Sequence, residues 1–92
     1  MTEPIEIPIE DVLDLHTFKP GDISSLIEEY LTACIEKNIF FVRIIHGKGK
    51  GIQRKRVHLI LKKNPMVKSY RNAPENAGGW GATLVKLKIT SP

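Results

Sequence analysis

An aspartate and two histidines are the residues of this chain best suited to catalysis. Asp14 and His16 lie two positions apart, and His46 opens a glycine-rich segment. Histidine titrates near neutral pH, so His16 is a candidate general base or acid, with Asp14 orienting its ring and His46 as a second proton-transfer group. The alternative is that His16 is a hydrogen-bonded structural residue. The same three side chains offer ligands to a divalent metal, but no short-spaced ligand motif accompanies them, so no cofactor is predicted.

The segment 46–51 has the composition of a phosphate-binding loop. Gly47, Gly49 and Gly51 let the backbone approach a ligand closely, and a predicted helix follows whose N-terminal N–H groups favour an anion. Arg43, on the preceding predicted strand, could assist. Further positive charge comes from Lys48, Lys50, Arg54 and Lys55. The full Walker pattern is missing, so we expect phosphate binding without NTPase activity; a flexible connection with solvated lysines is the alternative.

The only tryptophan, Trp80, lies in a loop at 72–81 that is rich in glycine, proline and asparagine. An exposed indole in this loop would stack on a nucleic-acid base, a contact that contributes about 1–3 kcal/mol. The alternative is an indole that folds back as a lid over the edge of the sheet. The sequence leaves both interpretations open.

Alternating strand and helix patterns predict the elements that position these residues. Apolar residues from Ile23 to Ile35 recur at helical spacing, with Asp22 as the N-cap and Asn38 closing the helix in a left-handed conformation. The same stripe contains the single cysteine, Cys34, which we expect to be a buried thiol. The remaining predicted elements are strands at 12–16, 40–45, 67–71 and 83–89 and a second helix at 53–63.

The order of these elements predicts one sheet with two helices, built from parallel strands joined by right-handed crossovers. Strand 40–45 is apolar on both faces, which is typical of a strand that is covered on each side. The carboxyl ends of neighbouring parallel strands meet at one edge of a sheet, where α/β proteins bind their ligands. We therefore expect Asp14 and His16 to meet the 46–51 loop at such an edge.

The two halves of the chain carry opposite charge. Residues 1–40 hold nine acidic and two basic side chains, whereas residues 41–92 hold one acidic and twelve basic side chains. This asymmetry predicts a basic face that binds a polyanion such as the backbone of DNA or RNA. The 92 residues suffice for one domain, and no apolar run is long enough to cross a membrane. The acidic N-terminal segment lacks the features of a signal peptide, which predicts a cytoplasmic protein.

Three motifs, in this order, resemble those of the Smr (small MutS-related) domain: Leu13-Asp14-Leu15-His16, Ile45-His46-Gly47-Lys48-Gly49 and Gly79-Trp80-Gly81-Ala82-Thr83-Leu84-Val85. The resemblance implies a two-layer α/β sandwich of order β-α-β-α-β-β, similar to the C-terminal domain of translation initiation factor three. It divides the chain into an extended arm at 1–11 and one Smr-type domain at 12–90. Many members of the family have glycine where this chain has Thr17.

The resemblance also implies nucleic-acid binding, with nicking or endonuclease activity on DNA or RNA in several members. Our leading hypothesis is a phosphodiesterase in which His16 removes a proton from water or from a ribose 2′-hydroxyl and His46 protonates the leaving oxygen. The alternative is a non-catalytic DNA- or RNA-binding module that positions a partner enzyme or binds RNA or a ribosome. A protein-interaction domain that uses the acidic first half is a third hypothesis.

Overall fold

Two α-helices and four β-strands lie within residues 10–47 and 51–89, the part of the chain that this computed structural model describes. The predicted arm at 1–11 is outside this part except for Glu10 and Asp11. No described helix is long and apolar enough to cross a membrane. The order of elements confirms the predicted β-α-β-α-β-β arrangement: β1 (Val12–Asp14), α1 (Ile23–Glu36), β2 (Phe41–Ile45), α2 (Ile52–Lys63), β3 (Val67–Asn72) and β4 (Ala82–Leu87).

Helix α1 forms because its apolar residues repeat every three or four positions and face the sheet. Ile23, Ile27 and Leu31 are fully buried on this stripe. Cys34 is also fully buried, which confirms the predicted buried thiol. Just after the helix, Asn38 has a φ of 61°, which confirms the left-handed conformation that closes the helix.

The start of α1 differs from the prediction. Asp22 occupies the N-cap position but makes no capping hydrogen bond through its side chain. The 3₁₀ turn Pro20–Asp22 leads directly into α1, so the backbone of Asp22 is helical, with φ −96° and ψ −10°. Since a capping side chain reaches the N–H groups of the first turn from an extended backbone, the predicted cap is wrong.

The sheet has the strand order β1-β2-β4-β3 and is mixed rather than parallel throughout. Strands β1 and β2 are parallel, as predicted, but β4 lies between β2 and β3 and is antiparallel to both. A parallel neighbour needs a long crossover, whereas the short connection from β3 to β4 suits an antiparallel return. Parallel pairing is therefore the wrong prediction for β4, although β1, β2 and β3 still run in the same direction.

Both helices cover the same face of the sheet. Successive right-handed crossovers that step in one direction across a sheet place their helices on one side. A single buried cluster accordingly contains residues of both helices and of β1, β2 and β4, among them Leu15, Ile27, Ile44, Leu61 and Leu87. The prediction that β2 is covered on both faces is wrong, because no α-helix of the described residues covers the other face of the sheet and Phe41 is 64% exposed.

Candidate functional site

One edge of the sheet brings together the three segments singled out by the sequence. The carboxyl ends of β1 and β2 are adjacent, and the backbone N–H of Leu15 donates to the carbonyl of Ile45 at 2.9 Å. The N–H groups of His46 and Gly47 both donate to the carbonyl of Gly81 at 2.9 Å. The segment after β1, the segment after β2 and the turn before β4 therefore form one continuous edge.

The Asp14–His16 pair is exposed at this edge. Oδ1 of Asp14 accepts two hydrogen bonds from His16, one from the backbone N–H at 3.0 Å and one from ring Nδ1 at 2.7 Å. These bonds, the backbone one first, hold the pKa of Asp14 below its ordinary value, so its carboxylate stays ionised at neutral pH. The side chain of His16 is 74% exposed and that of Asp14 45%. Because an ionised carboxylate only accepts, Nδ1 carries a proton, and in the neutral form of the ring Nε2 is an acceptor.

Thr17 fits the turn after this pair without backbone strain. Among the described residues other than glycine, only Asn38 has a positive φ. The backbone of Thr17 therefore lies in a region that a β-branched residue adopts readily. The departure from the glycine of many family members leaves the hydrogen bonds of His16 to Asp14 intact.

A second group of histidines lies beneath the edge, with His46 buried and His58 half-buried. His46, only 7% exposed, has its Nδ1 3.1 Å from the carbonyl oxygen of Gly47 and its Nε2 2.8 Å from Oγ1 of Thr83. Oγ1 of Thr83, a fully buried residue, is also 2.9 Å from Nε2 of His58 on α2. We refer to His46, Thr83 and His58 as the buried array.

The geometry of the buried array defines its proton positions. A carbonyl oxygen only accepts, so Nδ1 of His46 donates to Gly47 and Nε2 of His46 accepts the single proton of the Thr83 hydroxyl. Thr83 Oγ1 in turn accepts from Nε2–H of His58. Burial lowers the pKa of His46, despite an opposing effect of its hydrogen bond to Gly47, and burial and the nearby His46 lower the pKa of His58. Both rings are therefore neutral at neutral pH.

The Asp14–His16 pair and the buried array lie on opposite faces of the same edge. Leu13 and Leu15 point into the core, so Asp14 between them points to the face without helices. His46 and Ile44 instead share the helix-covered face. No hydrogen bond between described residues joins the pair to the array. The predicted site thus has its backbones together but its side chains divided, with the predicted proton donor His46 on the opposite face from His16.

The predicted phosphate-binding loop is described only at its two ends. Gly47 has a φ of 85° and Gly51, at the N-cap of α2, has a φ of 80°, conformations that favour glycine. Lys48, Gly49 and Lys50 lie outside the described residues. The N-terminus of α2 receives no side-chain cap, so its first N–H groups remain directed toward the edge.

Basic and aromatic side chains flank the start of α2. The guanidinium carbon of Arg54 lies 4.4 Å from the ring centroid of Trp80, a cation–π contact between α2 and the turn Gly79–Gly81. Lys55 is exposed one residue further along. The indole of Trp80 is 64% exposed, which agrees with a stacking platform and not with a lid folded over the sheet.

Arg43 lies away from the loop, on the face without helices. Its Nη1 donates to the carbonyl of Ala77 at 3.3 Å and so ties the turn Glu75–Ala77 to β2. Its Nε is buried and has no hydrogen-bond partner among the described residues. Over the same residues, no group of three or more His, Cys, Asp or Glu side chains converges as a metal site would require.

Sequence reasoning missed two members of the buried array. Thr83 lies within the third motif, but nothing in the motif marks its hydroxyl as the acceptor and donor between two histidines. His58 is three residues before the buried Leu61, so its position beside the apolar stripe of α2 was the available signal. Its partner lies 25 residues away in sequence, beyond the reach of local patterns.

Comparisons with known proteins agree with the arrangement of the three motifs. The Smr domain family model matches residues 13–88. The chain is 38% identical over 80 residues to endonuclease MutS2 of Clostridium beijerinckii and 41% identical over 76 residues to endonuclease MutS2 of Latilactobacillus sakei, covering 87% and 83% of this chain. It spans only 10% of the length of each of these relatives.

Two solved structures share the fold. The crystal structure of the Smr domain of Thermus thermophilus MutS2 superposes with a TM-score of 0.80 at 26% identity, over 86% of this chain and 99% of that domain. YdaL of Escherichia coli, a stand-alone small MutS-related protein, superposes with a TM-score of 0.78 at 26% identity. The match covers 85% of this chain and 64% of YdaL.

Proposed function

This chain belongs to the Smr domain family, and from that premise we propose that it binds the backbone of a nucleic acid and cleaves a phosphodiester bond at the sheet edge. Relatives that carry the name endonuclease MutS2 support this, but they are about ten times longer, so the proposal depends on the residues of this chain. The observation that carries it is the exposed Asp14–His16 pair, which lies at the same sheet edge as the end of β2, the strand that precedes the basic start of α2 in the chain.

His16 acts as the general base in this proposal. Its Nε2 takes a proton from a water molecule, or from a ribose 2′-hydroxyl in RNA, as the oxygen attacks phosphorus. The Asp14 carboxylate accepts from Nδ1–H, orients the ring and stabilises the imidazolium that forms. The bond from phosphorus to the leaving oxygen breaks, and that oxygen takes its proton from solvent, because both ring nitrogens of His46 are already engaged.

The start of α2 holds the phosphate. Its uncapped N–H groups and helix dipole favour an anion, and the left-handed Gly51 opens the approach to them. Arg54 adds a guanidinium next to Trp80, so one phosphate and one stacked base are recognised side by side. The buried array links the end of β2 to β4 and α2, and so holds the start of α2 in position relative to the sheet.

Nucleic-acid binding without cleavage is a second candidate function. The observation that favours it is the exposure of His16, since a base open to water lacks the excluded environment that strengthens electrostatic catalysis. In this case Asp14 and His16 have a structural role in the turn, and the basic start of α2 still binds the backbone.

A cleavage assay separates the two candidates. The 92-residue chain is incubated with labelled single-stranded RNA, hairpin RNA and supercoiled plasmid, with and without EDTA. His16→Gln is compared with Lys19→Gln, an exposed substitution in the same turn. We expect His16→Gln to lower cleavage by about 10²-fold or more and to retain binding, because only the proton transfer is lost.

Other results would assign a different function. Full cleavage by His16→Gln contradicts the proposed role of His16. Absence of cleavage by the unmodified chain, combined with binding that weakens steeply as salt increases, supports the second candidate, since backbone binding releases counterions. Loss of cleavage in EDTA alone would require a metal in the reaction.

A further inference from the structure

We propose that the sheet face without helices is a binding site for single-stranded nucleic acid, which it leads to the Asp14–His16 pair. The inference rests on the proposed function and names its substrate class. The face carries a groove of about 660 Å³ lined by side chains from all four strands. Its central lining residues are Val12, Phe41, Arg43, Arg71, Leu84 and Lys86.

An exposed aromatic ring lies in this groove. Phe41 is on the interior strand β2, yet 64% of its surface is exposed, which leaves a large apolar side chain in water. The ammonium of Lys86, on the neighbouring strand, lies 5.5 Å from the centroid of the ring. A ring beside a cation offers a stacking surface for a base and a charge for its phosphate.

The charge of the groove also suits a nucleic-acid backbone. Three cationic side chains, Arg43, Arg71 and Lys86, line it together with a single acidic one, Asp11. Arg43 and Arg71 both pair in register with Leu84, from opposite sides, so an apolar centre is flanked by two guanidinium groups.

The strand register directs the groove toward the proposed catalytic edge. Val12 is in register with Arg43, and Asp14, the next residue of β1 on the same face, is in register with Ile45. A strand lying along β2 from Phe41 toward Ile45 therefore arrives at Asp14 and His16. A duplex hides the faces of its bases, whereas an unpaired strand presents them to an exposed ring, so the groove fits a single strand.

A binding measurement tests this inference. Fluorescence anisotropy is recorded for a labelled 12-nucleotide uridine RNA and for a 12-base-pair RNA duplex, in the His16→Gln background so that nothing is cut. Phe41→Ala is compared with Ile89→Ala, another exposed apolar side chain. Arg71→Ala is compared with Lys63→Ala, at the end of α2.

We expect Phe41→Ala to weaken single-strand binding by about 5- to 150-fold, the loss of one stacked base, and to leave duplex binding unchanged. Arg71→Ala should reduce the dependence of log K on log salt by about one ion. Both controls should bind as the parent does. Unchanged single-strand affinity in both Phe41→Ala and Arg71→Ala, or an equal loss for the duplex, overturns the inference.

A competing occupant of the groove gives a different result. If residues 1–9 of the chain itself cover Phe41, then Phe41→Ala lowers the free energy of unfolding well beyond Ile89→Ala and leaves RNA affinity unchanged, which overturns the inference. The proposed function is tested separately, because cleavage depends on His16 in the unsubstituted groove. If Phe41→Ala both cleaves and binds RNA as the parent does, the groove proposal is wrong and the proposed function is unaffected.

Discussion

The Asp14–His16 pair and the buried array place histidines at the same sheet edge in contrasting environments. His16 lies 74% exposed on the open face and uses one ring nitrogen within the protein. His46 is 7% exposed on the helix-covered face and uses both ring nitrogens. A histidine with a free nitrogen in reach of solvent can exchange a proton with a ligand, whereas one enclosed on both sides holds the segments that it connects.

The difference assigns separate tasks to the two groups. The array joins three elements through one hydroxyl, since His46 follows β2, Thr83 belongs to β4 and His58 to α2. It thereby holds the end of β2, from which the proposed phosphate-binding loop departs. The side chains of the pair, by contrast, are hydrogen-bonded to each other and to no side chain of another element among the described residues. Substitutions in the pair should therefore change chemistry, and substitutions in the array should change stability.

The largest expected effect is on cleavage by Asp14→Asn. The amide keeps the shape of the carboxylate but not its charge, so it neither stabilises the imidazolium nor fixes the proton on Nδ1. We expect the cleavage rate to fall by about 10²–10⁴-fold. Asp22→Asn, at an exposed carboxylate before α1, is the control and should cleave normally. If the cleavage rate of Asp14→Asn falls by less than about tenfold, the Asp14–His16 pair does not take part in the reaction as proposed.

Thr83→Val tests the array through stability. The substitution keeps the volume and removes the hydroxyl that both His46 and His58 contact, so a buried and a half-buried ring nitrogen lose their partner. We expect the free energy of unfolding, measured by urea titration, to fall by about 1–3 kcal/mol. The matched control is Thr32→Val, whose hydroxyl donates to the carbonyl of Glu28 on α1 at 3.0 Å. If Thr83→Val and Thr32→Val lose the same free energy of unfolding, the array contributes no more stability than an ordinary hydroxyl hydrogen bond.

The pH dependence of stability separates the two groups further. The pKa values of His46 and His58 lie below the ordinary 6.5, so the unfolded chain binds more protons than the folded one just below that pH. Stability is complete above about pH 6.5 and falls as pH drops toward the lowered values, by at most about 1.4 kcal/mol per pH unit for each histidine.

Asp14 acts in a lower window, because its pKa lies below the ordinary 3.8 and its contribution is lost only as pH falls through that lower value. Urea titrations between pH 8 and pH 5 should therefore report the array and not Asp14, with a shallower slope for His58→Gln than for the unmodified chain. A flat profile in this range, or identical slopes, would contradict neutral buried histidines.

The smallest expected effect is that of His58→Gln on cleavage. Glutamine can still donate a hydrogen bond toward Thr83, and His58 has no contact with the Asp14–His16 pair among the described residues. We expect the cleavage rate at pH 7.5 to change by less than about tenfold, equivalent to 1.4 kcal/mol in activation free energy. If the cleavage rate of His58→Gln fell as far as that of Asp14→Asn, the buried array would take part in catalysis together with the Asp14–His16 pair.

Part of this arrangement could be predicted because it depends on neighbouring residues. The apolar stripe of α1, the left-handed Asn38 and the hydrogen bonds within the segment Asp14–His16 involve residues a few positions apart. The motifs also identified the family before the structure was considered. The predicted N-cap at Asp22 also depends on neighbouring residues, and it is wrong. The 3₁₀ turn Pro20–Asp22 gives Asp22 a helical backbone in place of the extended one that capping requires.

The sequence by itself determined the order of the elements, the identity of the motifs and the stretches that are helical, since periodicity and glycine positions act locally. Only the tertiary structure decided that β4 enters between β2 and β3, that both helices share one face and that Phe41 stays exposed. It also decided that His46 and His58 meet at Thr83, 37 and 25 residues away. The reason is physical: strand pairing and the division of side chains between two faces arise from contacts distant in sequence, which local patterns do not encode.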